Sequence, residues 1–354
     1  MENDLKGLFS ARKEKIIETL SEFLLREEVK ARLRLPWTDD LPERLIAYTK
    51  GGKCLRGNLV LLGAEAAGAD IEGFYPAAAA IELFQSGILM HDDIIDGDEV
   101  RRGKPSAHCA FANELSKAGF PETKKTGESL AICLGDIALM LTFALLNETK
   151  CEAAKKSEAT IYWGNEFAKV GAAEMEDTYL SSAPIMPSEE RILDLYKGKT
   201  AGYTFIVPLL TGAMLGGASP ELLSALSDYA LNLGVLFQVK DDELGLFGSA
   251  EKLGKPIGSD IRENKKTLFT QKLFAAATED EKAKLASIFG APNIGEAEVG
   301  YVRELLEAKG IRSEIDNLAD SLADKAKNAL AKAEVKNGKN ILQALIELSL
   351  KRTA

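Results

Sequence analysis

His91-Asp92-Asp93-Ile94-Ile95-Asp96 is the first place where side chains of one type are spaced to act together. Asp92 and Asp96 are four apart, so a helix points both the same way, with Asp93 beside them. The stretch before them, Ala77–Met90, is apolar. Three carboxylates at the end of an apolar helix are costly unless a cation meets them. Carboxylate oxygens are hard donors, and Mg2+ is commonly held by one or two of them together with substrate phosphates. Taken alone, the motif also fits a solvated helix end. A second cluster, Gln238-Val239-Lys240-Asp241-Asp242-Glu243, follows another apolar run, Leu231–Phe237. Two such clusters suit a clamp on a diphosphate through several divalent ions better than two unrelated helix ends.

Cations beside small residues form a further set: Gly51-Gly52-Lys53-Cys54-Leu55-Arg56, Arg101-Arg102-Gly103, Lys197-Gly198-Lys199-Thr200, Gly254-Lys255-Pro256-Ile257-Gly258-Ser259-Asp260 and Lys265-Lys266-Thr267. Arginine offers phosphate a bidentate fork and lysine a point charge, and glycine lets the backbone come close. None matches GxxxxGK[ST], so a P-loop is not supported. Two acidic, metal-binding walls and several cations suit a pair of substrates that each carry a diphosphate.

The elements that must position these residues are helical. Leu8, Phe9, Ile16, Ile17, Leu20, Phe23 and Leu24 recur at threes and fours between Leu5 and Arg26. Helices are predicted at about 43–68, 74–96, 126–147, 151–181, 188–216, 220–246, 265–289, 296–308, 311–334 and 338–351. Gly97–Ser106 and Gly248–Lys265 read as functional loops, and no alternating run argues for a sheet. The 354 residues are 46% apolar and 28% charged with 11 prolines, a globular composition able to bury a sizeable core. Lys+Arg total 44 against 54 Asp+Glu, a net charge of -10, which argues against wrapping nucleic acid. Cys54, Cys109, Cys133 and Cys151 form no CxxC pair and read as reduced thiols of a cytosolic protein. The start, MENDLKGLFSARKEK, is too charged for a signal peptide. Thr200–Pro220 lacks charge, yet Pro208 and four glycines make it a buried helix rather than an integral membrane span.

In this order the motifs resemble those of the trans-isoprenyl diphosphate synthases, also called polyprenyl synthetases. GGKCLR, HDDIIDGDEVRRG, KGKTAGYTF, FQVKDD and GKPIGSDIRENKKT follow the family's sequence from about Gly51 to Thr267, and the last looks most like archaeal members. The resemblance implies an all-α fold: one large helical domain over residues 1–354, around a deep central cavity, as a cytoplasmic homodimer. It implies a prenyltransferase that condenses isopentenyl diphosphate with an allylic diphosphate (dimethylallyl, geranyl or farnesyl). Mg2+ is the implied cofactor, as three ions, with Mn2+ as a substitute. By the same resemblance Asp92, Asp96 and Asp241 hold metal, with Asp93 beside them. Arg101, Lys199 and Lys255 hold the allylic diphosphate. Gly52, Lys53, Arg56, Gln85 and Arg102 form the isopentenyl diphosphate site. Thr200 and Gln238 lie near the reacting carbons, and Lys265 matches the lysine of a late GKxT in which Asn264 replaces glycine.

The chain departs from the family twice. Gly245 stands where the second acidic motif ends in a carboxylate, leaving Asp241 and Asp242 to suffice. GQxxD reads Gly171-Ala172-Ala173-Glu174-Met175, with Glu174, Glu176 and Asp177 as candidates for the lost polar role. For product length, the residues at −4, −5 and −8 from Asp92 are Ile88, Gly87 and Phe84. Gly87 leaves −5 open, and Phe84, ~12 Å along the helix from Asp92, is the expected floor. That favours geranylgeranyl diphosphate (C20) over geranylfarnesyl diphosphate (C25). A class I terpene cyclase would need a different second metal motif, and a non-catalytic modulatory subunit typically lacks an acidic motif.

Overall fold

A computed structural model describes residues 2–248, 258–291 and 293–352. The helices are α1 (Glu2–Leu24), α2 (Glu27–Leu33), α3 (Leu41–Lys50), α4 (Leu55–Ala67), α5 (Tyr75–Ile95), α6 (Ala107–Lys117), α7 (Thr123–Leu146), α8 (Ala153–Ser182) and α9 (Glu189–Leu195). A π-helical stretch, Tyr196–Ile206, leads into α10 (Val207–Leu215) and α11 (Pro220–Phe247). Helices at Ser259–Arg262, Leu268–Ala276, Glu279–Ile288, Glu296–Ala308, Ile311–Lys332 and Lys339–Leu350 follow. The fold is all-α, as expected. The four cysteines are free thiols.

By packing, the chain divides into one unit of residues 1–162 and 208–218 and a second of 163–207 and 219–354. In the first unit α5 is the central element, packed against α7, α4, α1 and α3. Pro76 sits in its first turn, where a missing N–H costs nothing. Ala77–Ala80 are fully buried, and these small residues let neighbouring helices come close. Helices α4 and α10 cross closely at two glycines. A Cβ on Gly63 would lie 2.0 Å from the Leu209 carbonyl oxygen, and one on Gly212 would lie 1.8 Å from that of Val60. In the second unit α11 packs against the π stretch, Ile311–Lys332 and Lys339–Leu350. Ser219 caps it by accepting from the Leu222 N–H.

The boundaries differ from expectation where turns break the helical period. Predicted 43–68 is two helices, because Cys54 adopts a left-handed φ of 52° between them. Predicted 265–289 breaks before Thr278, whose hydroxyl caps the next helix in a capping box with Glu281. Helix α6 was unforeseen. The Gly97–Ser106 loop contains a hairpin, Val100–Arg101 against Lys104–Pro105, although no sheet was expected. Its two-residue turn places Arg102 and Gly103 at φ of 55° and 74°, the type I′ pattern. Strands of two residues are too short to show a period. By length and composition α7 and α11 could each cross a membrane, but Thr200–Pro220 does not pass that test as one helix. Helix α11 is the packing centre of its unit and carries Asp228, Lys240 and Asp241.

Candidate active site

The last turns of α5 divide their carboxylates by depth. Asp93 is fully buried; the Tyr48 hydroxyl donates to it at 2.7 Å and Arg101 donates from the other side. Burial, then the Asp93 charge, keeps the Tyr48 phenol protonated. Arg101 also donates to Asp98 at 2.9 Å and lies 3.6 Å from Asp92. Asp92 is half-buried and Asp96 is exposed. Thus Asp93 positions Arg101 from within, while Asp92 and Asp96 lie one turn apart nearer the surface. Hard oxygen donors in this spacing fit Mg2+. Among the described residues no three acidic, histidine or cysteine side chains converge to hold a metal ion.

The hairpin sets the second arginine. Arg102 donates to the Tyr48 carbonyl at 3.2 Å, and its guanidinium lies over Gly51-Gly52. A Cβ on Gly52 would come within 3.1 Å of Arg102 Nη2, so a side chain there would push the arginine away. Lys53 is exposed beyond this turn, and Arg56 is half-buried on the first turn of α4. Behind it the Gly57 N–H donates to buried Glu82 at 2.7 Å, and burial raises that carboxyl's pKa. A cavity of about 570 Å3 is lined by the cations Arg101, Arg102 and Lys104 and by the apolar Met90, Phe111 and Leu134.

Gln85, Ile88, Leu89 and Asp92 are half-buried at threes and fours along α5, so one partly open stripe runs back from the acidic end. Phe84 is 5% exposed and follows the same row one turn deeper. Gly87 lies against α7: a Cβ there would meet the Gly135 carbonyl oxygen at 2.8 Å and Leu139 at 3.0 Å. Its missing side chain is therefore taken up by helix packing.

In the second unit, Lys199 and Thr200 lie in the π-helical stretch, where the Val207 N–H reaches back to the Gly202 carbonyl. Such widened turns are frequent at functional sites. Of the three candidates in the GQxxD region, Asp177 at 2.6 Å and Glu174 at 2.9 Å pair with Lys199, while Glu176 pairs with Arg191. The Thr200 hydroxyl donates to Gln238, and Gln238 donates to Asp242 at 2.7 Å. Tyr196 donates to the other Asp242 oxygen and accepts from the Leu268 N–H at 3.0 Å. Asp242 is buried, and burial raises its pKa. Its oxygens are committed inward, and Asp241 is the exposed member, 2.9 Å from Arg352.

Gly245 is explained by Asp260. A Cβ on Gly245 would lie 2.2 Å from Asp260 Oδ2, so a carboxylate from another segment fills the space where the motif lacks one. Lys265 pairs with Glu263 at 2.9 Å and lies 3.9 Å from Asp260. Asn264 has φ 53°, a left-handed conformation that glycine or asparagine tolerates, which accounts for its replacing glycine. Lys255 lies outside the described residues. Motif reading missed Tyr48, Tyr196 and Arg352, and it included Asp260 without assigning it a role. The two tyrosines carry no spacing signal, and Arg352 lies far from its partner in sequence.

The polyprenyl synthetase family model matches residues 40–306. The chain belongs to that family. It is 32% identical over 311 residues to geranylgeranyl diphosphate synthase of Saccharolobus solfataricus, covering 86% of this chain and 88% of the other. It is 32% identical over 327 residues to short chain isoprenyl diphosphate synthase of Methanothermobacter thermautotrophicus, covering 91% and 94%. Its fold is similar to the crystal structure of geranylgeranyl pyrophosphate synthase from Corynebacterium glutamicum complexed with isoprenyl diphosphate and magnesium. The TM-score is 0.86 at 28% identity, over 96% of this chain and 98% of the other. The archaeal resemblance and the all-α isoprenoid synthase fold both stand, and its relatives are prenyltransferases.

Proposed function

We propose that the protein condenses isopentenyl diphosphate head-to-tail with dimethylallyl, geranyl or farnesyl diphosphate, making a short all-trans prenyl diphosphate, most of it C20. The observation that carries the reading is the difference in depth at the end of α5: Asp93 is buried on Arg101 and Tyr48, while Asp92 is half-buried and Asp96 exposed, one turn apart. Mg2+ bound by Asp92, Asp96 and Asp241 would neutralise a diphosphate and make it a leaving group. The family implies three ions and tolerance of Mn2+. Arg101 and Lys199, with Lys255, orient the allylic diphosphate. Gly52, Lys53, Arg56, Gln85 and Arg102 hold isopentenyl diphosphate. The allylic C–O bond breaks and its electron pair leaves with diphosphate. The isopentenyl double bond then forms the new C–C bond, and a proton lost from the adjacent carbon restores the alkene. Thr200, held by Gln238, presents a polar oxygen near the reacting carbons. Apolar walls keep water from the cation.

The whole chain is taken to work as one cytoplasmic catalytic domain and as a homodimer. Support for the dimer comes from α7, which exposes Ile132 at 44% and Met140 at 66%. A second copy, rather than a bilayer, is the proposed cover for that face, and light scattering at assay concentration tests it.

The deciding experiment incubates the protein with Mg2+, labelled isopentenyl diphosphate and each primer, then sizes the dephosphorylated products. Labelled C20 or C25 alcohols support the reading. No incorporation with any primer, from a folded sample, overturns it in favour of a cyclase or a modulatory subunit. Asp92→Ala and Asp241→Ala are each expected to abolish condensation with the fold intact.

A further inference from the structure

Arg352 lies just beyond the helix Lys339–Leu350, far in sequence from every motif. Its Nη1 is 2.9 Å from Asp241 Oδ1 and shielded from solvent, yet makes no aligned hydrogen bond. Its guanidinium also lies over the Phe237 ring, 4.2 Å from the centroid. Phe237 and Asp241 are four apart on α11, so the arginine spans one helical face from ring to carboxylate. The placement is built in: the Tyr229 hydroxyl on α11 donates to the Leu342 carbonyl at 2.8 Å, and Lys327 pairs with Glu347 at 2.9 Å. Lys240 and Arg312 are engaged elsewhere, by Glu243 with Asp316 and Glu307.

We infer that Arg352 is a positioning cation that holds the Asp241 carboxylate until a divalent ion displaces it. This rests on the reading of Asp241 as a metal ligand. A guanidinium keeps its charge at every working pH, so it cannot yield by losing a proton. It repels a second cation brought to the same oxygen, so arginine and metal exchange. The pair keeps Asp241 oriented and blocks unproductive ion pairing by other cations, at the cost of weaker metal binding.

The test titrates Mn2+ into the full chain and reads free ion by its EPR signal. Arg352→Gln is expected to bind about two- to five-fold tighter than the wild type, the range of a half-exposed ion pair. Arg352→Lys keeps the cation and should match the wild type. Asp241→Asn should lose the part of Mn2+ binding that Asp241 supplies and keep that at Asp92 and Asp96. Arg352→Gln indistinguishable from wild type, with Asp241→Asn still defective, overturns the exchange and leaves the metal reading standing. Unchanged binding in Asp241→Asn overturns the metal assignment and the exchange with it. A purely structural role for Arg352 would lower the unfolding temperature without tightening Mn2+ binding, and that result also refutes the exchange.

Discussion

Phe84→Ala tests where the growing chain stops. Phe84 is 5% exposed on the row of α5 that ends at Asp92. One turn deeper come Ala80 and Ile81, both fully buried. Removing the ring moves the floor by four residues, or ~6 Å at the helical rise. One isoprene unit adds four carbon–carbon bonds along the chain, about 5 Å when extended. The variant should therefore add one unit, shifting the main product from C20 to C25. Emptying a buried phenylalanine site typically costs about 3–5 kcal/mol, so Phe84→Leu serves as a milder companion with a smaller shift in the same direction. Products are sized after dephosphorylation, and thermal unfolding confirms that each variant is folded. A folded Phe84→Ala with an unchanged product distribution refutes the floor. Gly87 is a poor probe by comparison, because any side chain there meets the α7 backbone before it meets substrate.

Three further outcomes are expected. Gly212→Ala drives a methyl into the Val60 carbonyl, so urea unfolding should show a loss of about 1–3 kcal/mol or more; a neutral result would mean that the α4–α10 crossing is looser than 1.8 Å implies. Asp177→Asn leaves Lys199 with one partner and should change KM for the allylic substrate about two- to five-fold with kcat little altered, whereas Lys199→Ala should lower kcat/KM far more. Glu82 has a folded pKa raised by burial, so its contribution to stability is fully present below the ordinary carboxyl value near 4.3 and falls as pH rises from there through the folded pKa. Glu82→Gln should therefore flatten that decline and be the more stable protein at pH 7, provided it still accepts from Gly57; equal pH profiles would sink the assignment.

Local pattern carried the helices and the order of the motifs, because helical period and short-range spacing are properties of neighbouring residues. Asp92, Asp96 and Asp241 could be picked out because carboxylates at the end of an apolar run are conspicuous. Turns were less legible. Gly51-Gly52 and Gly103 signalled turns, but the positive φ also falls on Cys54 and Arg102, residue types that do not favour it, so the exact break and the hairpin were not legible. Roles within a motif were not legible either. Asp93 and Asp242 look like their neighbours, yet each turns inward to a tyrosine from another helix. The carboxylate missing at Gly245 returns from Asp260, and the partner of Asp241 comes from Arg352. Such pairings depend on tertiary placement, which leaves no periodic trace.

If the proposed site residues are right, the charges around three of the candidate cations give a divalent ion a part in binding as well as in chemistry. Arg101 faces Asp92, Asp93 and Asp98; Lys199 faces Glu174 and Asp177; Lys265 faces Glu263 and Asp260. Each of these three is already outnumbered by carboxylates, on a chain of net charge -10. A diphosphate approaching these groups alone meets a neutral to negative surface, and its own charge makes matters worse. On the proposed reading, divalent ions held by Asp92, Asp96 and Asp241 would reverse the sign beside each cluster, and the arginines and lysines would then act as directional donors. Inorganic pyrophosphate should consequently bind at least ten-fold more weakly to protein stripped of divalent ions by chelation. Equal affinity with and without Mg2+, measured by calorimetry, would mean that the side chains alone carry the anion and that the charge balance drawn from these pairs is wrong.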